Sequence, residues 1–295
     1  MSAVRYTVDH ETRYAYRVPV SQSWQLAHLT PRTLPWQRVI SHALQIEPAV
    51  DERRDEKDAF GNGVTHFAVH GPHPLLRVRM IAEVEVDERP LAPARSPHTW
   101  ADVRDALLAD PAQDNLAPAR MREQSAMVPW SESAQDYSMP SFREGRDWLE
   151  AVTDLMSRIY VDFEFDAEAT TVTTQVDEVF ELRKGVCQDF AHLMIACLRS
   201  QGLPARYVSG YLLTDPPPGR PRLLGADASH AWVAAYSPSH GWVEFDPTNG
   251  HLADRRYITL AWGADFADVV PLRGVILGGG GQTMAVAVSV IPLVQ

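Results

Sequence analysis

Three side chains in the second half of the chain have the types needed to open an amide bond: Cys187, His230 and Asp246. A thiolate attacks a carbonyl carbon, an imidazole carries the proton, and a carboxylate fixes the ring. Cys187 follows Lys184-Gly185-Val186 and precedes Phe190, Leu193, Met194, Cys197 and Leu198, which recur at helical spacing. The sulfur is therefore expected in the first turn of a helix. Free N–H groups and about half a positive charge there favour thiolate over thiol. The Cys187 N–H is also placed to donate to a developing oxyanion. Cys197 falls within the apolar stripe and reads as core. Ten residues along one helix span about 15 Å, beyond the roughly 7 Å limit for a disulfide. Two free thiols suit a reducing cytoplasm.

The base comes from a β-ribbon downstream. Ser229-His230-Ala231-Trp232-Val233 and Gly241-Trp242-Val243-Glu244-Phe245-Asp246 flank Ser237-Pro238-Ser239-His240. Pairing Tyr236 with Trp242 sets Ala234 against Glu244 and Trp232 against Asp246. Alternation then keeps His230, Trp232 and Asp246 on one face, with His230 and Asp246 as diagonal neighbours. A slip of one residue would separate them. Asp189, His192, Tyr207, Ser209 and Trp232 are candidates to line the cleft or support the three. His192, one turn beyond Gln188, is a rival base, and Asp227 either caps a loop or meets substrate. His28, His42, His66, His70, His73, His240 and His251 read as structural or surface residues. No His-Glu-x-x-His helix, paired-cysteine zinc spacing or acidic calcium loop occurs, so no metal or cofactor is expected.

Four ordered blocks carry a resemblance. They are Gly185-Val186-Cys187-Gln188-Asp189-Phe190-Ala191-His192, Arg206-Tyr207-Val208-Ser209-Gly210-Tyr211, Ser229-His230-Ala231-Trp232-Val233, and Gly241-Trp242 with Phe245-Asp246-Pro247-Thr248-Asn249. Together they resemble the bacterial transglutaminase-like family, whose members are often described as candidate cysteine proteases. Thr30-Pro31-Arg32 and Phe60-Gly61-Asn62 resemble that family's preceding β domain, and Asp268-Val269-Val270-Pro271-Leu272-Arg273-Gly274 its C-terminal block. The chain departs from the family at Ala264, where an arginine is commoner.

The resemblance implies a papain-like α+β core with Cys187, His230 and Asp246 as its Cys–His–Asp set, the rival His192 taking a support role. It implies a thiol hydrolase cutting amide, peptide or isopeptide bonds through a Cys187 thioester. An amine acceptor in place of water would make the chain a protein-glutamine γ-glutamyltransferase. A non-catalytic peptide-binding scaffold is the remaining reading, and the intact set argues against it. Partners implied are a peptide or amide-linked substrate and, by family association, proteins of an ATP-grasp ligase system.

The elements that must position these residues follow from length and pattern. At 295 residues the chain suggests two units. Residues 1–90 read as an N-terminal β-sandwich, with strands at 4–8, 39–46, 64–69 and 76–86 punctuated by prolines, Gly61-Asn62-Gly63 and Gly71-Pro72. The charged run 51–58 reads as a solvated loop. Residues 91–140 read as a connector with short helices at 100–109 and 117–124. Residues 141–295 read as the catalytic domain. Its helices lie at 141–160 and within 178–201, and its strands at 205–213, 231–236, 241–245 and 257–260. The loop 214–225 is a candidate lid. Glycines 278–281 read as a hairpin connection before a last strand at 284–294, and these C-terminal strands are assigned to the same domain. The fold class is thus α+β: a β-sandwich, then a Cys-bearing helix packed on an antiparallel sheet.

Composition excludes several classes. Lys and Arg number 27 against 38 Asp and Glu, a net charge of −11, which repels nucleic acid and anionic membrane. No basic-apolar leader and no run of 18 apolar residues occurs, so a cytoplasmic protein is expected.

Overall fold

A computed structural model describes residues 3–90, 98–109, 113–214 and 227–293. Of the candidate lid at 214–225, all but Thr214 lies outside the described residues. Strands β1 (Val4–Thr30), β2 (Gln37–Glu47), β3 (Glu52–Lys57) and β4 (Gly63–Val86) open the chain. Helices α1 (Trp100–Ala109), α2 (Gln113–Arg120), α3 (Glu132–Ser138) and α4 (Trp148–Asp162) follow. Next come β5 (Glu164–Phe165), α5 (Val176–Leu182), β6 (Lys184–Gly185), α6 (Cys187–Ser200), β7 (Ala205–Leu212), β8 (Ser229–Ser237), β9 (Gly241–Asp246), β10 (His251–Leu252) and β11 (Tyr257–Gly263). The chain closes with β12 (Leu272–Gly278) and β13 (Gln282–Leu293).

The N-terminal strands are longer than their sequence signals. β1 and β4 pair along almost their whole lengths, with register shifts between Ala15 and Val20. β4 fuses the two runs read as separate strands and passes straight through Gly71-Pro72. One half of this sheet is β13, β1, β4 and β2; the other half is β12, β1, β4 and β3. Tyr6, Val8 and Met80 from one half share an apolar cluster with Val20, Leu29 and Phe67 from the other. The charged run read as a loop is instead β3, an exposed edge strand whose charges discourage further strand pairing.

Two further assignments change. β12 and β13 pair with β1, so they belong to the N-terminal sheet and not to the 141–295 unit. Glycines 278–281 do not make a hairpin, because β12 and β13 run in one direction along one edge of β1. The glycines carry the chain round the corner where β1 bends, all with positive φ. Arg17 and Val18 N–H groups donate to Gly281 and Gly279 carbonyls there, at 3.0 and 3.1 Å.

The second sheet is antiparallel in the order β10-β9-β8-β7-β11. The ribbon pairs Tyr236 with Trp242 and Ala234 with Glu244, the register that alternation predicts. Helix α6 lies against β7 and β8 and is buried from Gln188 to Arg199 on every side. α6 ends where Gly202 turns left-handed before Leu203-Pro204. Its apolar cluster includes Trp148 and Leu155 of α4, Val179 of α5 and Trp100 of α1. The stretch 98–140 is therefore packed on this core and does more than connect. α4 starts later than its apolar pattern, because Asp147 caps it by accepting from the Glu150 N–H at 3.0 Å. The second connector helix is Gln113–Arg120, earlier than the 117–124 its sequence suggested.

The two sheets meet through buried groups. Tyr211, Ile258 and Leu260 of the second sheet join the apolar cluster of the first. Tyr211 and His10 share a 2.8 Å hydrogen bond. The Gln37 side chain donates to the Thr259 carbonyl at 2.7 Å and accepts from its N–H at 2.8 Å. Asn62 does the same with Trp262, at 2.8 and 3.0 Å. The Arg32 guanidinium donates to Asn62 and lies 3.5 Å from the centre of the Trp262 ring. The motifs at 30–32 and 60–62 thus form the joint between the two units.

Candidate active site

Cys187 is the first residue of α6, and the geometry before it is set by Asp189. The Asp189 carboxylate, 1% exposed, accepts from the Val186 N–H at 2.8 Å and the Thr170 hydroxyl at 2.6 Å. Burial pushes this carboxyl up while those two donors hold it down. A Cβ at Gly185 would lie 2.8 Å from Asp189 Oδ2, so only glycine lets the carboxylate fold back under the turn. Gln188 donates from its amide to the Val172 carbonyl at 3.1 Å, tying the start of the helix to the preceding loop. The Cys187 side chain is half-buried, whereas Cys197 is enclosed. Burial pushes the Cys197 thiol far up.

His230 reaches this sulfur from β8. Its Nε2–H donates to Asp246 Oδ2 at 2.7 Å, and the Cys187 side chain lies close enough to the ring to act on its charge. With Nε2 committed to the carboxylate, Nδ1 is the nitrogen left for sulfur. Burial of the ring works against its charge, but Asp246 and Cys187 outweigh it and raise the imidazole to about 10. Asp246 is wholly buried. Burial alone would raise its carboxyl; hydrogen bonds from His230, Asn249 and Tyr257 hold it low instead. The Asn249 amide and the Tyr257 hydroxyl donate to Oδ2 at 2.7 and 2.5 Å, and the Thr248 N–H to Oδ1 at 2.8 Å. Tyr257 stays a donor, since burial and the neighbouring Asp246 drive its phenol up.

Other predicted residues divide by position. Trp232 stacks on His230, ring centres 6.0 Å apart at 24°, and its indole donates to Glu244 at 2.9 Å. Tyr207 is buried beside His192, and the Cys187 charge, after burial, helps push its phenol up. His192 accepts from the Phe266 N–H at 3.1 Å through Nε2. Burial lowers its imidazole to about 4, which makes it a neutral brace and not a rival base. Ser209 pairs with Ala231 and shares that residue's face of the sheet, away from the His230 ring. Asp227 accepts from the Val290 N–H at 2.9 Å and the Thr214 hydroxyl at 2.8 Å, tying the start of β8 to β13. At Ala264, where the family's arginine is missing, the carbonyl accepts from Arg199 at 2.6 Å. Asn249 and Tyr257 were not singled out by sequence. Asn249 closes an Asx-type turn after Asp246-Pro247, a legible signal; Tyr257 lies on another strand and has none. Among the described residues no cluster of His, Cys, Asp and Glu forms a metal site. No described helix is long and apolar enough to cross a membrane.

The chain is similar to known proteins. An uncharacterized protein of Mycobacterium bovis is 41% identical over 302 aligned positions, covering 98% of this chain and 93% of its own length. A protein-glutamine gamma-glutamyltransferase of Pseudomonas aeruginosa is 40% identical over 73 residues, 24% of this chain and 11% of that protein. A Cytophaga hutchinsonii crystal structure, provisionally called a cysteine protease, superposes with a TM-score of 0.75 at 20% identity, covering 100% of this chain and 92% of its own. The family profile for the bacterial transglutaminase-like N-terminal region matches residues 6–85, and that for the transglutaminase-like superfamily matches residues 137–247. With the cysteine at the mouth of α6 and the histidine and aspartate on the adjoining ribbon, the chain belongs to the bacterial transglutaminase-like family.

Proposed function

We propose that the protein is a thiol hydrolase that opens an amide, peptide or isopeptide bond through a thioester on Cys187. The observation that carries this reading is the His230 ring, held at 2.7 Å by the buried Asp246 carboxylate and close to the Cys187 side chain at the start of α6. A thiol becomes the stronger nucleophile when an adjacent imidazole can take its proton. The thiolate adds to the carbonyl carbon, and the Cys187 N–H at the helix start donates to the oxyanion. His230 then gives its proton to the leaving amine, and Asp246 keeps the ring in the correct tautomer. In the second half-reaction His230 takes a proton from water, which attacks the thioester and frees the acid.

Amine attack on the same thioester would give transamidation. The 73-residue similarity to a protein-glutamine gamma-glutamyltransferase supports that second reading. Hydrolysis is preferred because no described feature marks a site for an amine. The two free thiols favour a reducing compartment such as the cytoplasm.

The test is incubation with a peptide library, with and without a primary amine, followed by mass analysis of products. Free acids in both arms are expected, and Cys187→Ala, folded by circular dichroism, should make none. Amine adducts as the main product would select the second reading. Turnover retained in Cys187→Ala would reject both.

A further inference from the structure

A cavity of about 1060 Å³ opens where residues 34–36 and 88–90, which flank strands of the N-terminal sheet, face β7, β9 and β11 of the second. It is lined by the indoles of Trp36, Trp242 and Trp262 and by Arg206, Arg89 and Glu244. Its size is close to that of a small-molecule site, and it combines aromatic walls with charged groups that could orient a ligand. The Arg206 guanidinium is gripped between two of the rings, 4.1 Å from the centre of Trp242 and 3.6 Å from that of Trp262.

Arg206 is 7% exposed, and its Nε has no hydrogen-bond partner. A buried cation is ordinarily paired, because desolvation costs several kcal/mol. The neighbouring Arg89 shows the contrast: it pairs with Glu244 at 3.0 Å and donates to backbone carbonyls at 254 and 257. The Trp36 Nε1–H and Glu244 Oε1, on the same walls, are likewise buried without a partner. The cavity therefore holds, in Arg206, a planar cation framed by indole faces whose Nε is buried without a hydrogen bond, with Glu244 near enough to act on its charge.

We propose that this cavity binds a small carboxylate with an apolar or aromatic body. A carboxylate matches the guanidinium fork in two hydrogen bonds, and the body stacks on the indoles. A singly charged acid fits better than a phosphate dianion, since Glu88, Glu244 and Asp254 also line the space. Burial lowers the Arg206 guanidinium to about 9, with Glu244 opposing, so it stays charged at neutral pH. Free acids and peptide C-termini share this chemistry. The site is separate from Cys187 but adjoins its support: Glu244 also accepts from Trp232, which stacks on His230.

The test uses tryptophan fluorescence and thermal shift on the full chain, titrated with 3-phenylpropionate and with its neutral counterpart 3-phenylpropanol. The acid should quench, raise the melting temperature, and bind at least tenfold more tightly than the alcohol. Arg206→Met should lose that tenfold preference. Trp262→Phe, which keeps the cation, should bind the acid with reduced quenching. Ala-Ala-Phe against its C-terminal amide separates the sources: a preference for the free peptide points to chain ends, and binding of phenylpropionate alone to free acids. Equal binding of acid and alcohol by the unmodified protein, no binding of either, or an unchanged preference in Arg206→Met overturns the assignment. None of these readouts depends on turnover at Cys187.

Discussion

The ionisation of His230 links chemistry to stability at the scale of single residues. Its imidazole moves from an ordinary value of 6.5 to about 10 in the folded protein, against burial and through Asp246 and Cys187. The folded chain thus holds this proton more tightly than the unfolded chain. The resulting stabilisation is complete below about pH 6.5 and is lost as pH rises toward 10. Urea midpoints for the wild type should fall between pH 7 and pH 10, and His230→Gln should flatten that fall. Parallel curves for the two proteins would contradict the pairing. The cysteine, histidine and aspartate were legible because helix periodicity and strand alternation each fix a side chain's direction over a few residues. Tyr257, which also holds Asp246, was not legible, since it arrives from a strand three places away in the sheet.

Among the elements, α6 shows how a local device sets the sulfur. Its first turn depends on the Asp189 carboxylate lying under Gly185, with Thr170 as second donor. Gly185→Ala brings a Cβ to 2.8 Å from Asp189 Oδ2 and displaces that carboxylate. A lost helix cap costs about 0.5–2 kcal/mol. A drop in melting temperature of a few degrees, roughly 2–4 °C per kcal/mol, is expected, together with slower alkylation of Cys187. An unaltered melting temperature and alkylation rate would show that the turn does not need the glycine. The helix itself was plain from its stripe, but its complete burial was not. Ala191, Ile195 and Ala196 fill the faces outside the stripe, and small residues give periodicity little contrast. β1 and β4 were half-legible for a related reason: Gly71-Pro72 marks a turn by local chemistry, yet the long strand tolerates it at an irregularity in its pairing.

For the whole molecule, the ends of the chain share one sheet, so the N-terminal unit is completed by residues 272–293. Strand propensity says where a strand is but not which edge it joins, and this pairing was therefore hidden in the sequence. Leu272, Val288 and Val290 are buried in the cluster that also holds Tyr211 and Ile258 of the second sheet. Their burial contributes roughly 1.5–3 kcal/mol each, together comparable with a domain's whole stability of about 5–15 kcal/mol. A chain cut after residue 271 should lose cooperative unfolding in both units, followed by circular dichroism. A cut chain that melts like the intact one would show the second sheet to be independent of the first.

The most direct measurement is the rate at which iodoacetamide modifies each cysteine between pH 6 and pH 9, read by peptide mass. Cys187 should react rapidly, Cys197 should stay unmodified, and His230→Ala should slow Cys187, most of all at the low end of the range. A Cys187 that reacts no faster than in His230→Ala, or with the same pH dependence, would contradict the Cys187–His230 pair on which the proposed chemistry rests.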